Sequence, residues 1–206
     1  MAVITYSFSS GSEAGANWTS LNDAWDGNLA SNANRFVNSW VGQETDKWIQ
    51  AETNNAPASG GSLISIEVGI YFETGYSGDI TANIVPVFNG STFGDIHSLG
   101  AKTSSDWGYV DITNDTNAPG SWDWTDIQNL DLRCYGGNMT PSQGFFRIYE
   151  FSIRVTYSEV VESYKTITEA LGLSDAATIT LTPINITSEI RRSFFGKNIN
   201  RNFFSK

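Results

Sequence analysis

Three groups of residues in this chain have the types and spacing to do chemistry. The first is Asp23-Ala24-Trp25-Asp26-Gly27-Asn28, which sets three side-chain oxygen donors within six residues beside a glycine that permits a tight bend. A calcium ion takes oxygens from carboxylates, amides and backbone carbonyls. Asp23, Asp26 and Asn28, joined by Glu150 from a distant strand, are therefore candidate ligands of a structural calcium ion. The spacing is not that of an EF-hand loop. The competing reading is a loop in which Asp and Asn bond their own backbone.

The second group is aromatic. Seven tryptophans is a high count for a chain of this size, and Trp18, Trp25, Trp40, Trp107, Trp122 and Trp124, with Tyr109, are spread among polar neighbours. A sugar presents an apolar ring face edged by hydroxyls, so an aromatic ring beside a carboxylate or amide is the pairing it needs. Trp122-Asp123-Trp124 offers that pairing, and with Trp25 forms the carbohydrate-binding candidate. The competing reading is structural, because Trp is highly buried on average and needs a partner for its N–H when buried.

The third group is at the C-terminus. Arg192-Ser193-Phe194-Phe195-Gly196-Lys197 recurs at a nine-residue offset as Arg201-Asn202-Phe203-Phe204-Ser205-Lys206. Burying four Phe side chains does not offset the ordering of sixteen residues. The segment is thus expected to dock onto something already folded, through Arg191, Arg192, Phe194, Phe195, Lys197, Arg201, Phe203 and Phe204, or to fray. An acidic neighbouring copy, a capsid or tail lattice and an anionic membrane surface are the candidate hosts.

Other chemistries find little support. Cys134 is the sole cysteine, so no intrachain disulfide forms, and it falls in phase with Leu130 and Leu132 as a small buried hydrophobe. His97 is the sole histidine, in a Gly/Ser loop and expected to be exposed, which disfavours a catalytic zinc site. No carboxylate pair stands out at the separation glycoside hydrolysis requires. The chain is expected not to be an enzyme. Residues 1–190 carry a net −15 and residues 191–206 a net +5, so the body is not expected to bind nucleic acid. No run approaches the length of a membrane span, and the first twenty residues show no signal-peptide pattern.

The elements that must position these groups read as strands. Residues 144–157 alternate most clearly: Tyr149, Phe151, Ile153, Val155 and Tyr157 against Glu150, Ser152, Arg154 and Thr156. Phe146 and Ile148 lie in the opposite phase, which predicts a bulge near 148–149. Further strands are expected over 2–8, 47–52, 63–73, 80–88, 107–113 and 130–135, with Pro86 marking an edge or bulge and Asn89-Gly90 a turn. Residues 17–40 are expected as a long ordered loop with at most a helical turn, residues 121–127 as a helical turn, and residues 178–182 as a strand. The predicted fold is all-β: a two-sheet antiparallel β-sandwich of jelly-roll type over 1–157, with a C-terminal extension, 158–206.

Two stretches resemble the galactose-binding-like, or discoidin-like, jelly rolls. Asp23-Ala24-Trp25-Asp26-Gly27-Asn28 is similar to their early "A-x-D-G-N/D" loop, and Ile148-Tyr149-Glu150-Phe151 to their closing "I-x-E-hydrophobic" strand. The Asn-rich spacing between Asn28 and Trp40 departs from that pattern. Thr168-Glu169-Ala170-Leu171-Gly172-Leu173-Ser174-Asp175 resembles a phrase met in surface proteins of phages and archaeal viruses. Together these imply a virion structural protein (a capsid decoration protein, head fibre or tail-associated protein) made in a host cytoplasm and displayed on the virion surface. Its partners would be copies of itself and other virion proteins. The alternatives are a carbohydrate-binding module that engages cell-surface glycans, or a subunit of an extracellular filament.

Overall fold

In the computed structural model, residues 1–15, 18–37, 45–75, 80–137 and 144–158 are described. They form eleven strands: β1 (Ala2–Glu13), β2 (Trp18–Thr19), β3 (Ala33–Val37), β4 (Ile49–Asn54), β5 (Ser62–Gly75), β6 (Ala82–Phe88), β7 (Thr92–Phe93), β8 (His97–Ser98), β9 (Asp106–Asp111), β10 (Leu130–Gly136) and β11 (Gly144–Ser158). One short helix, α1 (Trp124–Gln128), and a 3-10 turn (Leu21–Ala24) complete them. Among the described residues no helix is long and apolar enough to cross a membrane.

The strands make two antiparallel sheets. In sheet A, β11 is central: β5 runs along one side with β9 beyond it, and β1 and β3 share the other side, with β2 outside β3. In sheet B the order is β1-β4-β10-β6, with β7 and β8 on the far edge of β6. β1 belongs to both sheets, since residues 2–7 pair with β11 and residues 8–13 with β4. From β4 onward the long strands β4, β5, β6, β9, β10 and β11 alternate between the sheets. That wrapping is the jelly-roll course, and it leaves the core between the two inner faces.

The core follows from strand periodicity. Ile66, Val68, Ile70 and Phe72 of β5, Phe146, Ile148, Phe151, Ile153 and Val155 of β11, and Leu130, Leu132 and Cys134 of β10 are all buried. In β11 the pairing with β5 shifts between Ile148 and Glu150. The bulge predicted from the phase change is there, and its effect is to keep one face apolar along the whole strand: Tyr149 is the extra residue, and the inward set resumes at Phe151.

Two expectations need correction. Residues 17–40 are not merely a loop, because β3 pairs with β11 from Ala33↔Ile148 to Val37↔Gly144. The run lacks clean alternation, and the pairing is decided by the long partner strand. His97 is half-buried rather than exposed, its Nε2 lying 2.8 Å from Asp115 Oδ2, which ties β8 to the loop after β9. The turn signal holds: Asn89 and Gly90 take φ of 50° and 72°, and the chain reverses between β6 and β7. Pro86 pairs with Leu132 on one side and lies between the short β7 and β8 pairings on the other, a near-edge position that tolerates its missing N–H.

Candidate functional site

The aromatic candidates of the 122–124 run fill structural positions. Trp124 is buried, donates its indole N–H to the Gly61 carbonyl at 2.9 Å, and meets Tyr157 and Tyr6 edge-on at 5.5 and 6.1 Å. Trp25 is buried in the core. Trp122 is half-buried, with its N–H on the Thr113 carbonyl and its ring against Phe88. Asp123 is the N-cap of α1: its carboxylate accepts the N–H groups of Thr125 and Asp126, and Asp126 accepts the Asp123 N–H in return. Trp25 and Trp124 are buried, so their ring faces are not open for stacking, while Asp123 is exposed and its Oδ1 serves as the cap.

The acidic loop behaves likewise. Asp26 accepts the Asn28 N–H at 2.8 Å and the Ser31 hydroxyl at 2.7 Å, and Asn28 accepts the Ala30 N–H at 3.1 Å. Asp23 lies in the 3-10 turn, and Glu150 accepts the Ser7 hydroxyl at 2.7 Å on sheet A. Among the described residues no cluster of three or more His, Cys, Asp or Glu side chains is placed to hold a metal ion. Trp40 and the assembly residues Arg191, Arg192, Phe194, Phe195, Lys197, Arg201, Phe203 and Phe204 lie outside the described residues, as do 178–182 and the extension beyond Ser158.

Trp107 and Tyr109 stand on the outer face of sheet A, stacked at 5.2 Å and 21°. Tyr109 rests over Gly69, where a Cβ would fall 2.5 Å from its Cδ1; its hydroxyl lies 2.9 Å from Ser152 Oγ, and the Arg154 guanidinium lies 4.2 Å from its ring centre. Tyr71 and Tyr149 extend the row at 5.5 Å each. The adjoining charges pair across strands, Arg147 with Glu73 at 2.6 Å and Arg154 with Glu67 at 2.7 Å. This face is a satisfied cross-strand network of the kind that stabilises a sheet.

The outer face of sheet B is different. An outer face open to solvent alternates buried and exposed, yet all seven residues of β6 are buried, including the outward-facing Asn83, Val85 and Val87. The outward side chains of β6 are therefore covered by neighbouring side chains rather than open to water. Across this face run Gln50 and Glu52 of β4 and Asp131, Arg133 and Tyr135 of β10, with Arg133 opposite Gln50 on one side and Val85 on the other. Two rings flank the arginine: its guanidinium carbon lies 3.9 Å from the Trp48 ring centre and 4.5 Å from that of Phe93, an exposed residue of β7. Its Nε and Nη2 both donate to Gln50 Oε1, at 3.0 and 2.7 Å.

The other end of Gln50 holds the acids. Its Nε2 donates to Asp131 Oδ2 at 3.3 Å and to Glu52 Oε1 at 3.4 Å, and the Ser12 hydroxyl donates to Glu52 at 2.6 Å. Burial, reinforced by the charge of Glu52 and opposed by the Gln50 bond, pushes the Asp131 carboxyl up to about 6. Burial lowers the guanidinium of Arg133 and raises the phenol of Tyr135. Rings, a paired cation, an amide and two carboxyls thus converge on one face, and a perturbed carboxyl such as that of Asp131 is a feature that concentrates at functional sites.

Motif reading passes over these residues because they sit in two short strands far apart in the chain, Gln50 to Arg133 being 83 residues. The signal that could have found them is the outward phase. Trp48, Gln50 and Glu52 along β4 and its approach, and Asp131, Arg133 and Tyr135 along β10, carry only polar, charged and aromatic side chains.

No family model matches this sequence, and no curated protein matches it. Among solved structures, the chain is similar to one described as "CBM4 structure and function", at 10% identity over 75% of this chain and 94% of that one, with a TM-score of 0.41. It is similar to the CBM36-1 domain of a multidomain xylanase from the hindgut metagenome of Trinervitermes trinervoides, at 9% identity over 77% of this chain and 100% of that one, with a TM-score of 0.38. A third likeness is to a structure of infectious bursal disease virus, Gt strain, at 10% identity over 76% of this chain and 33% of that one, with a TM-score of 0.30. Values this low leave function to the geometry of the chain's own surface.

Proposed function

We propose that this chain is a non-catalytic carbohydrate-binding module, and that the outer face of sheet B receives the glycan. The observation that carries this reading is the convergence of Trp48 and Phe93 on Arg133, directly beside Gln50, Glu52 and Asp131. Arg133 covers one face of each ring; the exposed part of Phe93 and of half-buried Trp48 matches the apolar face of a sugar ring, and the guanidinium, amide and carboxyls match its hydroxyls. The virion-surface and filament readings rest on the C-terminal segment, outside the described residues, whereas the described surface supports the glycan reading.

The test is a glycan array followed by calorimetry on the full chain. Saturable binding to a neutral polysaccharide that is lost in Trp48→Ala, with the thermal transition retained, is the expected result. Binding that survives Trp48→Ala and Arg133→Ala together would place the site elsewhere.

A second reading, a glycoside hydrolase, has one observation in its favour: two carboxyls, one with a raised proton affinity, lie near each other. Both, however, accept from a single amide nitrogen on neighbouring strands, side by side on one face. Hydrolysis needs them on opposite sides of a scissile bond. Release of reducing ends from the bound glycan would favour this second reading.

A further inference from the structure

This inference rests on the glycan-binding reading and concerns how the outer face of sheet B recognises hydroxyl groups. Glu52 and Asp131 are adjacent, and among the described residues the donors they receive are one shared amide, from Gln50, and one hydroxyl, from Ser12. Among the described residues, the remaining groups facing Asp131 do not supply a charge to it. Val87 is its cross-strand neighbour on β6, and Arg133, on the same strand, directs its Nε and Nη2 to Gln50 Oε1. Two ionised carboxylates at this position would present acceptors only. A sugar hydroxyl is both donor and acceptor, so its oxygen would meet nothing but negative charge on this part of the face.

We propose that Glu52 and Asp131 hold one proton between them when a glycan binds, so that the face offers a donor and an acceptor to neighbouring sugar hydroxyls; it then takes neutral glycans, holds them more tightly in acid, and rejects uronate or sulfated chains. Protonation supplies the O–H donor that neither carboxylate has alone, and two like charges sharing one amide resist simultaneous ionisation. The proton affinity of Asp131, raised by burial and by Glu52, lies where such a proton is held in mildly acidic solution. Anionic chains would set a further negative charge beside the one that the singly protonated, partly desolvated pair retains, in a body already at −15 over residues 1–190.

The experiment is isothermal titration of the full chain with xylohexaose, cellohexaose and a galacturonate oligomer at pH values from about 5 to about 8. A neutral oligosaccharide is expected to bind about tenfold more tightly at the acid end than at the alkaline end, following the uptake of up to one proton. The galacturonate oligomer is expected not to bind. Asp131→Asn keeps an N–H donor at every pH, so in alkali it should bind as the unmodified chain does in acid, with a flat profile. Binding by the unmodified chain that is independent of pH, or tighter binding of the uronate, overturns the shared proton but leaves the glycan-binding reading standing if Trp48→Ala abolishes it. Absence of binding to every neutral glycan sinks both. A ligand-free measurement stands beside these: carboxyl-carbon NMR should show Asp131 titrating at about 6, and titration in the ordinary carboxylate range, at about 4 or below, would overturn the proposal.

Discussion

Replacing Asp131 by Asn should stabilise the folded chain at neutral pH and not in acid. In the fold the Asp131 carboxyl keeps its proton up to about pH 6, whereas in an unfolded chain it releases it near about pH 4. Between those values the folded state holds a proton that the unfolded state has lost. Stability therefore falls as pH rises through that window; the penalty is complete above the folded value and absent below the unfolded one. A shift of about two units would correspond to about 3 kcal/mol, but the side chain is half-buried and partly screened by solvent, which reduces the figure to about 1–1.5 kcal/mol. Asparagine has nearly the same shape, can still accept from Gln50, and carries no charge to desolvate. For a chain of this size the gain is a rise in Tm of about 4 °C at pH of about 7.5. Thermal and urea unfolding of the two proteins across the range from about pH 4 to about pH 7.5 measure it. A difference that does not grow across that range, or a less stable variant at its upper end, would refute the account of why Asp131 holds its proton.

Two further outcomes follow from the packing. Trp124→Ala removes a buried ring wedged between Tyr6 and Tyr157 and leaves the Gly61 carbonyl without its donor; a loss of about 3–5 kcal/mol in urea unfolding is expected, with glycan binding kept in whatever fraction remains folded. Gly69→Ala puts a methyl group 2.5 Å from the Tyr109 ring; about 1–3 kcal/mol of destabilisation is expected, and the Tyr109–Ser152 bond should be lost while the outer face of sheet B is unaffected, as calorimetry with the same glycan would show.

Strand existence is legible in the chain wherever one face meets the core and the other meets water. The alternation in 63–73 and 144–157 is enough to place β5 and β11, and the phase change at Ile148–Tyr149 marks the bulge that the pairing of β11 with β5 contains. The helical turn signalled by Ser121-Trp122-Asp123-Trp124 is α1, capped as a residue of Asp123's type caps. The short strands are not legible. β2, β7 and β8 have two residues each, too few to show a period, and β3 owes its strand pairing to β11.

The site divides along the same line. Local properties are written in the chain: which residues alternate, where the backbone turns, that Cys134 is a core residue, and that Asp26 and Asn28 can bond their own loop. Tryptophans in a run look like a binding surface, but an indole shows its face only where nothing else packs on it, and that is a property of the assembled sandwich. Trp124 is enclosed because β1 and β11 bring Tyr6 and Tyr157 against it. Trp48 becomes part of the proposed site because the pairing of β4 with β10 sets Arg133 beside it and Asp131 beside Gln50. The carboxyl of Asp131 is ordinary in the chain and unusual in the fold, since the raised proton affinity comes from lost water and from Glu52, a residue 79 positions away in sequence that only sheet pairing brings near.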